Sequence, residues 1–154
     1  RDLRLENNAE LYQALKSNLP VIPVFIFDTE ILDKLENKSD RRVEFIHWVI
    51  EQLHDKLTSL GSSLQIYHGK PTEVWKTIST QWPVKEVYTN HDYEPSAIKR
   101  DNNIAELLKH HGIPFKTFKD QCIFEKGEVL KDDGKPYTVF TPYSRKWLAK
   151  VNDF

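Results

Sequence analysis

Residues 85–118 read KEVYTNHDYEPSAIKRDNNIAELLKHHGIPFKTF, and the period of their apolar residues changes twice. KEVYTN is a short β-rich run. From Pro95 to about His111 the apolar residues instead recur at helical spacing, with a proline in the first turn and Gly112 as the stop. IPFKTF then returns to a strand pattern. A strand, a helix and a second strand in sequence imply a right-handed crossover between parallel strands.

The same alternation extends in both directions. Upstream, PTEVWKTISTQW starts on Pro71 and reads as a helix to about Trp82, preceded by the strand SLQIYHG. Ser39 and Asp40 precede a long helix in which Val43, Ile46, Ile50, Leu53, Leu57 and Leu60 recur every three or four residues, and Gly61 ends it. VIPVFIFD, residues 21–28, is an almost unbroken apolar run of the kind buried on both faces of a parallel sheet. Residues 7–17 read as a helix capped by Asn7 or Asn8. Strands near 21–28, 63–68, 85–90 and 114–118 therefore belong to a doubly wound, mostly parallel α/β sheet with helices on both faces. A central strand is expected from residues ahead of Arg1, which would bring the loops at 1–8 and 90–95 together. GEVLKDDGKPYTVFTPYSRKW departs from the pattern, with a turn at Asp132–Gly134 and then an extended run broken by Pro142.

Composition narrows the function classes. The 154 residues, 39% apolar and 12% aromatic, suffice for one domain with its own core. A formal charge of −1 gives no global attraction to nucleic acid. Cys122 is the single cysteine, which excludes a disulfide framework and favours a reducing compartment such as the cytoplasm. It reads as a small buried hydrophobe rather than a nucleophile. No run approaches a membrane span, and the charged opening RDLRLENN together with the absence of methionine suggests part of a longer chain. Phosphate-cradling glycine loops and the GxSxG elbow are missing, which disfavours a nucleotide kinase or a dehydrogenase. The six histidines form no zinc pattern, so no metal is expected; His47 and His54 read as helix-surface residues and Trp48 and Trp75 as packing residues.

In doubly wound sheets ligands bind beyond the carboxyl ends of the strands. The loop NHDYEP lies at that edge, as does the loop after Asp28. Glu94, just before Pro95, has a plain role in capping the helix that follows. Asp92 belongs to the turn leaving the strand, where a carboxylate accepts hydrogen bonds from a planar ligand and neighbouring rings cover its apolar face. Arg100 and Asp101, adjacent on the helix, are expected to point to different sides and tie it to neighbouring loops.

Four segments, RDLRLENNAEL, PVIPVFIFDTEIL, NHDYEPSAIKRD and GKPYTVFTPYSRKW, resemble, in order and across essentially the whole chain, signature segments of the DNA photolyase/cryptochrome family. That family opens with a strand and WFRRDLRLxDN; here the strand is missing and Asn7 stands where Asp is usual. The resemblance implies the N-terminal α/β domain of a blue-light flavoprotein, Rossmann-like and five-stranded in the order 3-2-1-4-5. It spans residues 1–141, with 142–154 starting a linker to a C-terminal helical domain absent from this sequence. In the family that domain holds FAD, which gives an electron to a pyrimidine dimer flipped out of UV-damaged DNA. The α/β domain often holds an antenna pigment. By similarity to deazaflavin- or FMN-holding members, Asp92 and Glu94 stand beside the pigment, Phe27, Asp28, Ile31 and Leu32 face it, and Arg42 balances its charge or reaches a carboxylate. Ser96-Ala97 occupy the place of Asn-Glu in folate-holding members, which disfavours methenyltetrahydrofolate. No catalytic residue is expected in this part, which should be inactive alone, and the protein is expected to be a monomer. Three readings remain open: a photolyase, a cryptochrome light sensor, or a stand-alone nucleotide-binding domain.

Overall fold

The computed structural model describes residues 2–37 and 39–152. In chain order the elements are α1 (Ala9–Leu15), β1 (Val24–Asp28), α2 (Thr29–Leu32), α3 (Arg41–Ser59), β2 (Gln65–Gly69), α4 (Pro71–Gln81), β3 (Val87–Asn90), α5 (Pro95–His110), β4 (Phe115–Phe118) and α6 (Phe140–Val151). Only α2 and α6 were not foreseen. The chain forms two compact units, 1–120 and 121–154.

In the first unit β1 pairs with β2 in parallel, Val24 opposite Gln65 through Asp28 opposite Gly69. β3 pairs with β4 in parallel, Val87 opposite Phe115 through Asn90 opposite Phe118. The fold is thus α/β with parallel strands joined by helical crossovers. Among the described residues, however, the four strands form two separate pairs and not one continuous five-stranded sheet.

Helix ends follow local chemistry. Asn8 caps α1 by accepting the Leu11 N–H, and Asp40 caps α3 by accepting the Arg42 N–H. α3 and α5 both finish in a Schellman turn: Gly61 and Gly112 sit at φ of 77° and 68°, and the next residue's N–H returns to Leu57 O and Leu108 O respectively, both at 2.9 Å. Each strand pair has its own core. On β3–β4, Val87, Ile104, Leu108 and Ile113 are buried, with Trp75 and Phe115 packed against them. On β1–β2, the α3 stripe of Ile46, Ile50, Leu53 and Leu57 meets Phe25, Leu64, Leu3 and Leu5. Val87 faces the α5 core while Asn90, of opposite strand parity, bonds to α1, so β3 is covered on both faces. Across β3–β4, Lys116 lies 2.8 Å from Glu86 and within 3.4 Å of the Tyr88 hydroxyl, which itself donates to Glu86. Lys116 first, and Tyr88 second, hold the Glu86 carboxyl below its usual range.

Several packing expectations need correction. Leu60 and Trp48 are exposed, the first because it lies at the C-cap of α3 and the second because it falls off the buried stripe. Cys122 is also exposed, since residues 121–123 form an open start to the second unit. Arg100 and Asp101 do not diverge: the guanidinium donates to Asp101 Oδ1 at 2.9 and 2.8 Å.

In the second unit the turn is as expected, with Gly134 N–H bonded to Lys131 O and Lys131 N–H to Lys135 O, both at 2.9 Å. The run after it is not extended. Pro142 falls in the first turn of α6, where a missing N–H costs no intrahelical bond. Trp147 packs edge-on against Phe124 at 5.6 Å, and Lys150 donates to Glu128 O at 2.6 Å. Among the described residues no helix is long and apolar enough to cross a membrane.

Candidate functional site

The seven residues singled out by sequence fall into two groups at the carboxyl edge of the parallel strands. Phe27 and Asp28 end β1, Ile31 and Leu32 lie on α2, and Arg42 opens α3. Asp92 and Glu94 follow β3. The first group is built by one carboxylate: Asp28 Oδ1 accepts the Glu30 N–H at 2.8 Å and so caps α2, turning the chain at the strand's end. α2 leaves Ile31 exposed. Phe27 meets Phe25 edge-on at 4.9 Å and, on α3, stacks with the His47 ring at 6.0 Å and 28°. His47, read from sequence as a bland surface residue, therefore belongs to this group. Its Nδ1 also lies 3.4 Å from Glu51, one helical turn on. Helical spacing placed His47 off the buried stripe and so gave no signal of this contact.

Arg42 reaches a carboxylate, as one expectation had it, but the carboxylate is Asp40. Its Nε donates to Asp40 at 3.0 and 3.2 Å and a terminal nitrogen at 2.5 Å. That side-chain pairing, and next the Arg42 backbone N–H, lowers the Asp40 carboxyl to about 2. The Arg42 charge is thereby matched within the cap of its own helix.

In the second group the capping roles are the reverse of those expected. Glu94 occupies the N-cap position of α5, yet its carboxylate makes no cap bond. Asp92 Oδ1 instead accepts the Glu94 N–H at 3.1 Å, closing an Asx turn that leads into Pro95. The longer glutamate is a poor cap because its extra methylene carries the carboxylate past the first N–H groups. His91 is fixed beside them, its N–H on Phe118 O at 2.7 Å and its ring Nε2 2.8 Å from Thr117 Oγ1.

Beneath this loop lies a buried polar network that sequence reading did not find. Asn90, fully buried, donates from its amide to Asn8 Oδ1 at 3.0 Å and accepts the Glu10 N–H at 2.9 Å. Asp120, two residues beyond β4, accepts the Ala9 N–H at 3.0 Å and pairs with Arg4, whose guanidinium also donates to Asn7 O. These bonds join the loops at 1–8 and 90–95, as the expected topology requires. The only hint in the sequence was that an uncharged amide ends an apolar strand.

The edge therefore offers a ring-stacking surface at Phe27 and His47, apolar side chains on α2, and carboxylates oriented by backbone N–H groups. It is acidic, with Asp28, Glu30, Asp92 and Glu94, and its one arginine from the seven is already paired. A cavity of about 540 Å³ lies elsewhere, between β1 and β3, and none of the seven lines it. Among the described residues no group of three or more His, Cys, Asp or Glu is placed to hold a metal.

Comparison with known proteins agrees with the sequence motifs. The sequence model of the family described as DNA photolyase matches residues 1–153. A deoxyribodipyrimidine photo-lyase of Synechococcus sp. is 30% identical over 150 residues, 97% of this chain and 31% of that protein. Cryptochrome-2 of Arabidopsis thaliana is 30% identical over 154 residues, 96% of this chain and 24% of that protein. Among solved structures, an archaeal photolyase from Sulfolobus tokodaii, described with two FAD molecules and a novel light-harvesting cofactor, is similar at a TM-score of 0.78 and 33% identity, over 95% of this chain and 32% of that one. The chain thus spans about a third of the length of these photolyases.

Proposed function

Because the chain belongs to the DNA photolyase family, we propose that it is the light-gathering α/β part of a photolyase that repairs UV-induced pyrimidine dimers in DNA with blue light. The observation that carries this reading is the family match over residues 1–153, supported by photolyase relatives that the chain matches over a third of their length. FAD and the damaged base then belong to the remaining two thirds, and this part serves an antenna pigment. When bound, that pigment absorbs light and passes the excitation energy on.

The residues at the carboxyl edge suit a planar heteroaromatic ring. Phe27 and His47 stack on it, Ile31 and Leu32 cover it, and Asp28 and Asp92 accept hydrogen bonds from its N–H or hydroxyl groups. A phosphate is less well served, since the Arg42 charge is matched by Asp40 and the other charges named are negative. The edge therefore favours a deazaflavin over FMN. In the test, the longer protein is titrated with each pigment and its light-driven dimer repair is measured. Repair by the longer protein but not by residues 1–154 supports the assignment; repair by this part alone sinks it. The match to cryptochrome-2 sustains a second reading, a light sensor, which the same assay separates because a sensor binds the pigment and repairs nothing.

A further inference from the structure

α3 carries two stripes. One, from Ile46 to Leu57, is packed into the β1–β2 core. The other runs down the opposite side through Arg41, Phe45, Trp48, Gln52 and Asp55, in steps of four, three, four and three residues, and each of these residues is exposed. Alternating three- and four-residue steps are the pattern by which one helix packs along another. The middle of this outer stripe is aromatic: Phe45 and Trp48 are 60% and 56% exposed, and their rings lie 6.1 Å apart at 35°. Two large rings held side by side in water mark a contact surface, and tryptophan is among the residues that contribute most to an interface.

The two ends of the stripe are oppositely charged. Arg41 stands seven residues before Trp48 and Asp55 seven residues after it, about 10.5 Å of helix in each direction. Glu44, on the flank, and Gln52 are likewise four residues to either side of Trp48. Two copies of α3 laid antiparallel about a twofold axis through Trp48 therefore set Arg41 against Asp55 and Glu44 against Gln52, and each pairing occurs twice. The Gln52 amide donates to the Glu44 carboxylate in the second of these. A parallel pair would instead oppose like charges at both ends. Other basic residues of the helix are already engaged, Arg42 with Asp40, His47 with Glu51 and Lys56 with Glu6. Among the described residues Arg41 and Asp55 make no ion pair within the chain.

We infer that this face of α3 docks a second copy of the protein, as an antiparallel helix pair with Trp48 on its twofold axis. An interface of this kind uses the same patch on both sides, so it closes as a dimer and does not propagate. Phe45 packs on Trp48 of the other copy, and the four rings leave water together. The two ion pairs lie at the rim, where they fix register and direction more than they add affinity. Charges matched about a centre distinguish a second copy from an unlike partner or another segment of the same chain, neither of which requires Arg41 and Asp55 to be equidistant from Trp48. One helix from each side buries less than the roughly 1,600 Å² of a standard interface, so the dimer is transient, with a dissociation constant on the order of 10 μM. A dimer replaces the monomer expected from resemblance, and it needs neither pigment nor repair activity.

Sedimentation equilibrium of the full-length protein between about 1 and 300 μM tests this docking. The wild type should pass from monomer to dimer across that range. Trp48→Ala should weaken the dimer at least about thirtyfold. Arg41→Asp and Asp55→Arg should each weaken it at least about fivefold, since each sets two like-charge pairs across the axis. The variant carrying both reversals should return to within about threefold of the wild type, because every pair is restored with its signs exchanged. Thermal melts establish that each variant is folded. A wild type that stays monomeric at every concentration overturns the inference, and this outcome stands even if a variant fails to fold. A dimer indifferent to Trp48→Ala lies on another surface and also overturns it. So does a dimer that both single reversals weaken and the double reversal fails to restore, since its partners are then not related by the axis through Trp48.

Discussion

The amide of Asn90 donates to Asn8 Oδ1 at 3.0 Å, joining residues 82 positions apart at the carboxyl edge of β3. The same Asn8 oxygen caps α1, so one atom anchors the helix and receives the strand. Replacing Asn90 by Ala leaves the Glu10 N–H without its acceptor and should cost about 1–3 kcal/mol. Urea denaturation of Asn8→Ala, Asn90→Ala and the double variant should give a coupling of at least about 0.5 kcal/mol; simple additivity would mean the bond carries no stability.

Asp40 makes the N-terminus of α3 acid-sensitive. Its folded carboxyl titrates at about 2, below the ordinary 3.8, so the folded state binds fewer protons in that window. The stabilisation is present above pH 4 and is lost as pH falls through 2. Asp40→Asn keeps an N-cap oxygen but removes the titration. Melting temperatures followed from pH 5 to 2 should fall less steeply in this variant than in the wild type, and parallel curves would count against the ion pair.

Asp92 and Glu94 separate by stability as well as by ligand. Asp92→Ala removes the oxygen that closes the turn ahead of α5 and should cost about 1 kcal/mol. Glu94→Ala, which deletes no cap bond, should stay within about 0.5 kcal/mol. Thermal melts compare the two; a larger loss in Glu94→Ala would reverse the assignment. Calorimetry with a deazaflavin should show weaker binding in Asp92→Ala and in His47→Ala, both variants remaining folded.

Leu108 is wholly buried and also supplies the carbonyl that ends α5. Leu108→Ala should lose about 2–5 kcal/mol, measured by denaturant unfolding, because the side chain leaves a cavity among Val87, Ile104 and Ile113. Leu60→Ala, at an exposed site, serves as the contrast and should stay within about 0.5 kcal/mol.

What the sequence made legible was whatever has a period or a punctuation mark. The α3 stripe from Ile46 to Leu57, the proline starts of α4 and α5 and the glycine stops at Gly61 and Gly112 are local, and each appears where its chemistry puts it. The site residues were legible as a neighbourhood and not as partners. Asp28, Asp40 and Asp92 each accept the backbone N–H two residues on, a competition invisible in composition. Asn90 with Asn8, and Asp120 with Ala9, meet only after the strands are laid side by side. α6 was hidden because Pro142 reads as a breaker unless the helix is known to begin two residues earlier.

The two buried clusters have a consequence for the order in which the fold is assembled. Most of the β1–β2 cluster is gathered from Phe25 to Leu64, and most of the β3–β4 cluster from Trp75 to Phe115. Each is closed by contacts between near neighbours in the chain, which shortens the loops that must be fixed before burial begins. A polypeptide leaving the ribosome can complete the first α/β unit before the second has been synthesised. The Asn8–Asn90 bond can form only once both are in place, so it is a late bond in assembly even though Asn8 caps α1.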